Sequence, residues 1–101
     1  SLESVRAWFA VHAPDVSLIE AHASTATVLD AAAALGVAPA RIAKTLALRV
    51  NGQVTLVVTR GDARLDNGKS KAVLGGLPRM LGDDQTFTLT GHPVGGVCPF
   101  G

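Results

Sequence analysis

The sequence predicts a single domain of mixed α and β structure, in which short helices surround a β-hairpin. Two apolar, β-prone runs at residues 43–50 and 53–59 are separated by Asn51-Gly52, which is the strongest short signal for a hairpin. Segments with helical periodicity and recognisable caps lie on both sides. A length of 101 residues, with 48% hydrophobic and 17% charged residues, fits one folded domain over residues 1–101.

The N-terminal part predicts two helices and one strand. Ser1 is a suitable N-cap, and Pro14 ends the first helix. Residues 16–20 are short and β-branched at one end, which predicts a strand. Thr27 begins the second helix, and Gly36 is a natural residue for its end. The first helix is predicted from residues that recur at helical spacing, namely Leu2, Val5, Trp8, Phe9 and His12.

A two-residue turn fixes the register of the hairpin. It pairs Val50 with Gln53 and, at the far end, Lys44 with Thr59. Lys44 then shares a face with Leu46, Leu48 and Val50. Both faces are apolar away from the turn, so we expect that end of the hairpin to lie inside the protein.

The C-terminal part predicts shorter elements and an irregular end. Residues 66–74 read as a helix with Asp66 as N-cap, residues 79–81 as a brief strand, and residues 83–89 as a weak helix. Six of the eleven residues from 91 to 101 are Gly or Pro, which excludes a regular helix or an inner strand. This end therefore predicts a specific loop.

Several functional classes are disfavoured. The single cysteine allows no internal disulfide, and the three histidines lack the spacing of a metal site, so we expect no metal and no cofactor. A net charge of +1 does not suggest a DNA-binding polycation. No apolar stretch approaches the roughly 18 residues of a membrane span, and no signal peptide is visible, so we expect a cytoplasmic protein without membrane contact.

Lys44 is the most informative polar residue. A lysine on an apolar strand face must extend to solvent, find an anion or lie in a pocket, and parity alone does not decide among these. The glycine-rich loop from residue 95 to 101 could present backbone N–H groups to an anion or oxyanion, or be a plain turn. Cys98 could be a nucleophile with His12, His22 or His92 as base, although a structural thiol fits better.

Residues 60–79 hold a local excess of positive charge. Five cations face two anions, Asp62 and Asp66, and a phosphate backbone could bind there; a solvated surface is the simpler reading. The cations are Arg60, Arg64, Lys69, Lys71 and Arg79.

Four segments together resemble the YbaK/EbsC family, which includes free-standing deacylases and the editing domain of bacterial prolyl-tRNA synthetases. Residues 42–49 resemble its lysine strand, residues 27–37 its helix, and residues 61–66 the segment after its hairpin. Residues 90–101 resemble its glycine-to-proline loop, with Gly95 and Pro99 at the diagnostic positions. The resemblance runs over essentially the whole chain. It implies a mixed sheet that curls towards a barrel, with flanking helices.

The resemblance also implies a site for hydrolysing the ester between an amino acid and the terminal adenosine of tRNA. The catalytic set would be Lys44 and the loop residues Gly95, Gly96, Val97, Cys98 and Pro99. Substrate-binding residues would be Thr27, Thr45, Thr59, Arg60, Asp62, His92 and Phe100. Contacts to tRNA would come from Arg64, Lys69, Lys71 and Arg79.

The implied function is trans-editing, with the acceptor end of aminoacylated tRNA as partner and prolyl-tRNA synthetase as a possible one. The expected substrate is proline tRNA carrying a small amino acid such as alanine or cysteine. Family members usually continue past the loop, so the resemblance implies that this chain lacks the C-terminal part of the family fold. One alternative is a non-catalytic module of the same fold that binds tRNA or nucleotide; another is a thiol-dependent enzyme that uses Cys98. The sequence leaves the oligomeric state open.

Overall fold

A computed structural model describes residues 1–21 and 23–101 and confirms a mixed α and β fold. His22, one of the candidate bases, lies outside the described residues. The helices are α1 (Leu2–His12), α2 (Val28–Leu35), α3 (Asn67–Leu74) and α4 (Asp83–Thr90), and Pro39–Arg41 forms a 3₁₀ turn. The strands are β1 (Ala43–Val50), β2 (Gln53–Arg60) and β3 (Arg79–Met80).

The hairpin of β1 and β2 has the predicted register throughout. Asn51 and Gly52 have φ values of 51° and 78°, which is the left-handed pair that a tight hairpin turn requires. Val50 pairs with Gln53 and Lys44 with Thr59. The turn chemistry alone therefore places Lys44 on its strand face.

The sheet has the order β2-β1-β3 and is antiparallel throughout. β3 pairs with β1 only at Leu48 and Arg49. The first half of β1 consequently has no strand beside it on the β3 side within the described residues. The sheet is open there, and the closure towards a barrel that the resemblance implied is not formed by this part of the chain.

Side-chain caps begin three of the helices as predicted. Ser1 and Ser4 form a reciprocal capping box at α1. The hydroxyl of Thr27 accepts a hydrogen bond from the Asp30 N–H at α2. Asp66 does the same for the Lys69 N–H at α3, at 2.8 Å. Each cap satisfies a backbone donor that has no partner inside its helix.

Two predictions for apolar segments are wrong. Residues 16–20 form no strand, and Ile19 is 82% exposed, because no neighbouring strand offers them a ladder. The far end of the hairpin is also not enclosed on both faces. Its outer face is open, with Leu56 40% exposed and Val58 54% exposed.

The apolar core is small and centres on β1. Its buried members come from α2, β1 and the segment after β3, and are Ala32, Ala47, Leu48, Val50 and Leu81. At 1% exposure, Leu48 is the most enclosed large side chain among the described residues. The first helix packs outside this core, against Phe100. The ring centroids of Trp8 and Phe9 lie 5.0 and 5.2 Å from that of Phe100.

Within residues 1–21 and 23–101, no helix combines the length and the apolar character needed to span a membrane.

Candidate active site

A cavity of about 470 Å³ opens where four segments meet. These are the start of α2 with the residues before it, the first half of β1, the β3–α4 region and the C-terminal loop. A volume of this size falls in the usual range of about 300–1,000 Å³ for small-molecule sites. Its polar side chains are those of Thr25, Thr27, Lys44, Thr45, Asp83 and Thr86.

The unpaired edge of β1 forms one wall of this cavity. The Leu81 N–H donates to the Ala47 carbonyl, so the backbone groups of Ala47 point towards the β3 side. Backbone direction in an antiparallel strand repeats every two residues, and Thr45 therefore points its N–H and C=O the same way. Because β3 does not reach Thr45, these groups have no strand partner among the described residues, and Thr45 lines the cavity.

Lys44 lies half-buried in the cavity wall. Its ammonium donates to the carbonyl oxygens of Gly61 at 3.2 Å and Ala63 at 2.6 Å. Of the three possibilities left open by strand parity, the structure thus supports the pocket. An ammonium has three hydrogens, so one is not used by these two carbonyls, which belong to residues outside the cavity lining.

Thr59 lies beside Lys44 on the same face of the hairpin, as the register requires. Its hydroxyl is buried and has no hydrogen-bond partner among the described residues. A buried hydroxyl without a partner is uncommon in native proteins. Thr59 does not line the cavity itself.

Gly61 positions the first carbonyl that holds Lys44. It is buried, and its N–H donates to the Ile42 carbonyl at 2.6 Å. A Cβ at this position would lie 2.6 Å from the Pro39 carbonyl oxygen and 2.7 Å from Cγ1 of Val28. Only glycine fits at such close approach. Gly61 therefore allows the segment whose carbonyl holds the Lys44 ammonium to pack against the start of α2.

The C-terminal loop contributes Val94, Gly95 and Val97 to the cavity. Gly95 has φ +85°, and a Cβ there would lie 2.9 Å from the Ala26 carbonyl oxygen, so glycine is required. The Gly96 N–H donates to the Pro93 carbonyl at 2.9 Å. That amide is therefore already occupied, whereas the amides of Gly95 and Val97 donate to no backbone carbonyl among the described residues.

The remaining residues of the predicted catalytic loop lie outside the cavity lining. Gly96, Cys98 and Pro99 do not line it. The Cys98 sulfur accepts a hydrogen bond from the Phe100 N–H at 3.5 Å, which supports a structural role for the thiol. Phe100 is directed at α1 rather than at the cavity.

Of the other residues predicted to contact the substrate or tRNA, most lie on the surface outside the cavity. Arg60 and Asp62 form an exposed ion pair with each other at 2.5 Å, and neither lines the cavity. Thr27 and Thr45 do line it. The four residues predicted to contact tRNA are all exposed and lie outside the lining: Arg64, Lys69, Lys71 and Arg79.

His92 is buried beneath the loop and away from the cavity lining. Burial lowers its pKa below the ordinary value of 6.5. The nitrogen of Ser1 lies 3.0 Å from its Nδ1. Nε2 is buried without a partner in the described part of the chain.

Sequence reasoning missed much of the apolar wall. Val28 and Ala31, on α2, are three residues apart and so share a helix face with the predicted Thr27 region, a spacing that could have indicated them. Met80, Asp83 and Thr86 carry no such local signal, because only the folded chain brings β3 and α4 to β1.

The sequence matches the aminoacyl-tRNA editing domain family over residues 22–101. The chain belongs to this family. The match leaves out α1, which contacts the editing domain through Phe100 and Gly101.

Relatives in sequence lie both inside and outside synthetases. The chain is 46% identical to the uncharacterised protein YwhH of Bacillus subtilis (strain 168), over all of this chain and 65% of YwhH. It is 34% identical to a proline–tRNA ligase of Geobacillus thermodenitrificans (strain NG80-2), over 74% of this chain and 13% of the ligase.

A solved structure has the same fold. It is described as a proposed trans-editing enzyme for prolyl-tRNA synthetase, with a TM-score of 0.86 and 31% identity. The match covers 98% of this chain and 64% of the solved chain. The chain thus spans slightly less than two thirds of the length of the free-standing relatives that it matches.

Proposed function

We propose that this chain is a trans-editing hydrolase that removes a wrongly attached amino acid from tRNA. The observation that carries the proposal is the cavity in which Lys44, the free backbone of Thr45 and the Gly95 loop come together. Membership of the editing-domain family supports the choice of an aminoacyl ester as substrate.

The chemistry suits these groups. An aminoacyl ester is already activated, so a positioned water and stabilisation of the developing oxyanion supply much of the acceleration. The amides of Gly95 and Val97 would donate to the ester carbonyl oxygen, and the free hydrogen of the Lys44 ammonium would engage a ribose or phosphate oxygen or the transition-state charge. The attacking water would be oriented by the substrate ribose or by the carboxylate of Asp83, which is the acidic side chain of the lining.

The proposed substrate is tRNA for proline that carries a small amino acid such as alanine or cysteine. The apolar lining includes Val28, Ala31 and Ile42, which could contact a short side chain. A synthetase site rejects a smaller amino acid weakly, because one methylene contributes only about 1–3 kcal/mol. A second site corrects this error after release, and prolyl-tRNA synthetase is then the enzyme whose products are edited.

The proposal is tested with a panel of proline tRNAs carrying alanine, cysteine, serine or proline. Release of the free amino acid is followed with time for the 101-residue chain. We expect release from one or more of the small amino acids and none from prolyl-tRNA. Binding of the charged tRNAs without any release would support the non-catalytic module instead.

Variants separate the roles in the cavity. Lys44→Met should abolish release, whereas Lys44→Arg, which keeps the charge, should retain part of it. Arg41→Met is the matched control, because Arg41 is exposed and lies off the cavity. If Cys98→Ala, which leaves the main-chain amide in place, abolishes release, the thiol-dependent alternative is favoured over this proposal.

A further inference from the structure

Arg49 of β1 and Arg79 of β3 lie directly opposite each other in the sheet. Directly paired residues of antiparallel strands project to the same face, with Cβ atoms about 4.5–5.5 Å apart. Two like charges in this position repel each other and destabilise the pairing. The fold nevertheless brings them together at the single short contact between β1 and β3.

No carboxylate compensates this pair among the described residues. The salt bridges found there are Arg6 with Glu20 and Arg60 with Asp62. The Arg49 guanidinium donates only to the Gly52 carbonyl, at 3.3 Å. Since a guanidinium has five N–H donors, most of those of Arg49 remain available.

The two arginines lie beside the cavity, on the sheet face that carries Thr45 and Ala47, whereas Lys44 projects from the opposite face of β1. Ala47, two residues before Arg49 on the same face of β1, lines the cavity, and a two-residue step along a strand is about 6.6–6.8 Å. Met80, which follows Arg79 and projects from the opposite face of β3, also lines it. An anion held by this pair would thus lie about one strand step beyond the cavity wall.

We infer that Arg49 and Arg79 together bind one phosphate group of the tRNA acceptor strand; the inference rests on the proposed function. A phosphate has several acceptor oxygens, and arginine matches them with paired N–H donors. Its negative charge would also relieve the repulsion between the two cations. Such a contact fixes the position of the strand without reading its sequence.

The test measures binding of uncharged proline tRNA, so it does not depend on hydrolysis. Arg49→Gln, Arg79→Gln and the double variant are compared with wild type over a series of salt concentrations. We expect each single change to weaken binding by about tenfold at low salt, as for one lost charge-assisted contact. The slope of log K against log salt should fall by about 0.7–0.9.

The double variant tests whether the two arginines share one phosphate. If they do, the double change weakens binding by less than the product of the two single effects, because each arginine's contact depends in part on the other holding the same phosphate. If the increases in the tRNA dissociation constant caused by the two single changes multiply in the double variant, the shared contact is overturned. Arg41→Gln, a change of an exposed arginine away from the pair, should bind tRNA like wild type.

Thermal unfolding separates binding from folding. Without ligand, neither single variant should unfold at a lower temperature than wild type, since a repulsion is removed. Inorganic phosphate should raise the unfolding temperature of wild type but not of the variants. If phosphate does so while the variants bind tRNA normally, the pair is a site for free phosphate and the inference about tRNA is overturned. If tRNA binding shows the expected losses but no charged tRNA is hydrolysed, this inference stands and the proposed function fails.

Discussion

Replacing Gly61 with alanine tests how the fold holds the cavity lysine. The added Cβ would meet the Pro39 and Ile42 carbonyl oxygens at 2.6 and 2.8 Å and Cγ1 of Val28 at 2.7 Å. Two of these atoms belong to the backbone and cannot rotate away. The segment after the hairpin must therefore move, and the carbonyl that accepts from the Lys44 ammonium moves with it.

The expected loss of stability follows from the number of close contacts. Overpacking a filled site costs about 1–3 kcal/mol, and three contacts below 3.0 Å indicate a value near the middle of that range, about 2 kcal/mol. In a domain of about 100 residues each 1 kcal/mol shifts the unfolding temperature by about 4–8 °C. Gly61→Ala should thus unfold about 8–16 °C below wild type.

Urea unfolding measures the loss of stability. Amino acid release measures the effect of displacing the carbonyl that holds the Lys44 ammonium. The urea midpoint should fall by about 1 M, given a slope of about 1–3 kcal/mol per molar for small domains. Gly96→Ala is the control for stability, because its Cβ would meet nothing closer than 3.5 Å and its φ is not positive. If Gly61→Ala unfolds at the same urea concentration as Gly96→Ala, the packing argument is refuted.

Two further predictions concern the core and the buried histidine. Leu48→Ala removes a side chain that is 1% exposed and should cost about 2–5 kcal/mol in urea unfolding, whereas Val58→Ala, at a site 54% exposed, should cost much less. The folded-state pKa of His92 is lowered below 6.5, so the unfolded chain takes up a proton first as the pH falls. Stability should therefore be full above pH 6.5 and decrease as the pH falls below it, while His92→Gln should lose this part of the pH dependence and His12→Gln should retain it. An unchanged pH profile in His92→Gln would show that this histidine does not titrate with folding.

The elements that sequence analysis located correctly depend on local chemistry. Asn51-Gly52 fixes a turn, and the turn fixes every pair of the hairpin. Thr27 and Asp66 are followed by backbone donors that their side chains can reach three residues later. These features require no knowledge of the rest of the fold.

The predictions that failed depend on distant partners. Residues 16–20 have β-prone composition, but a strand also needs a neighbour, and none adjoins them in the described structure. The cavity shows the same division. Lys44 and Gly95 are recognisable from local patterns and Thr45 from the family resemblance, whereas Asp83 and Thr86 enter it only because α4 folds back beside β1.

The two carbonyls that hold the Lys44 ammonium also affect the entropy of ligand binding. A lysine side chain loses up to about 2 kcal/mol of rotamer freedom when it is fixed in place. Here the Gly61 and Ala63 oxygens impose that loss during folding. A ligand that engages the remaining N–H thus meets an already immobilised cation, and more of its contact energy appears as affinity or rate acceleration.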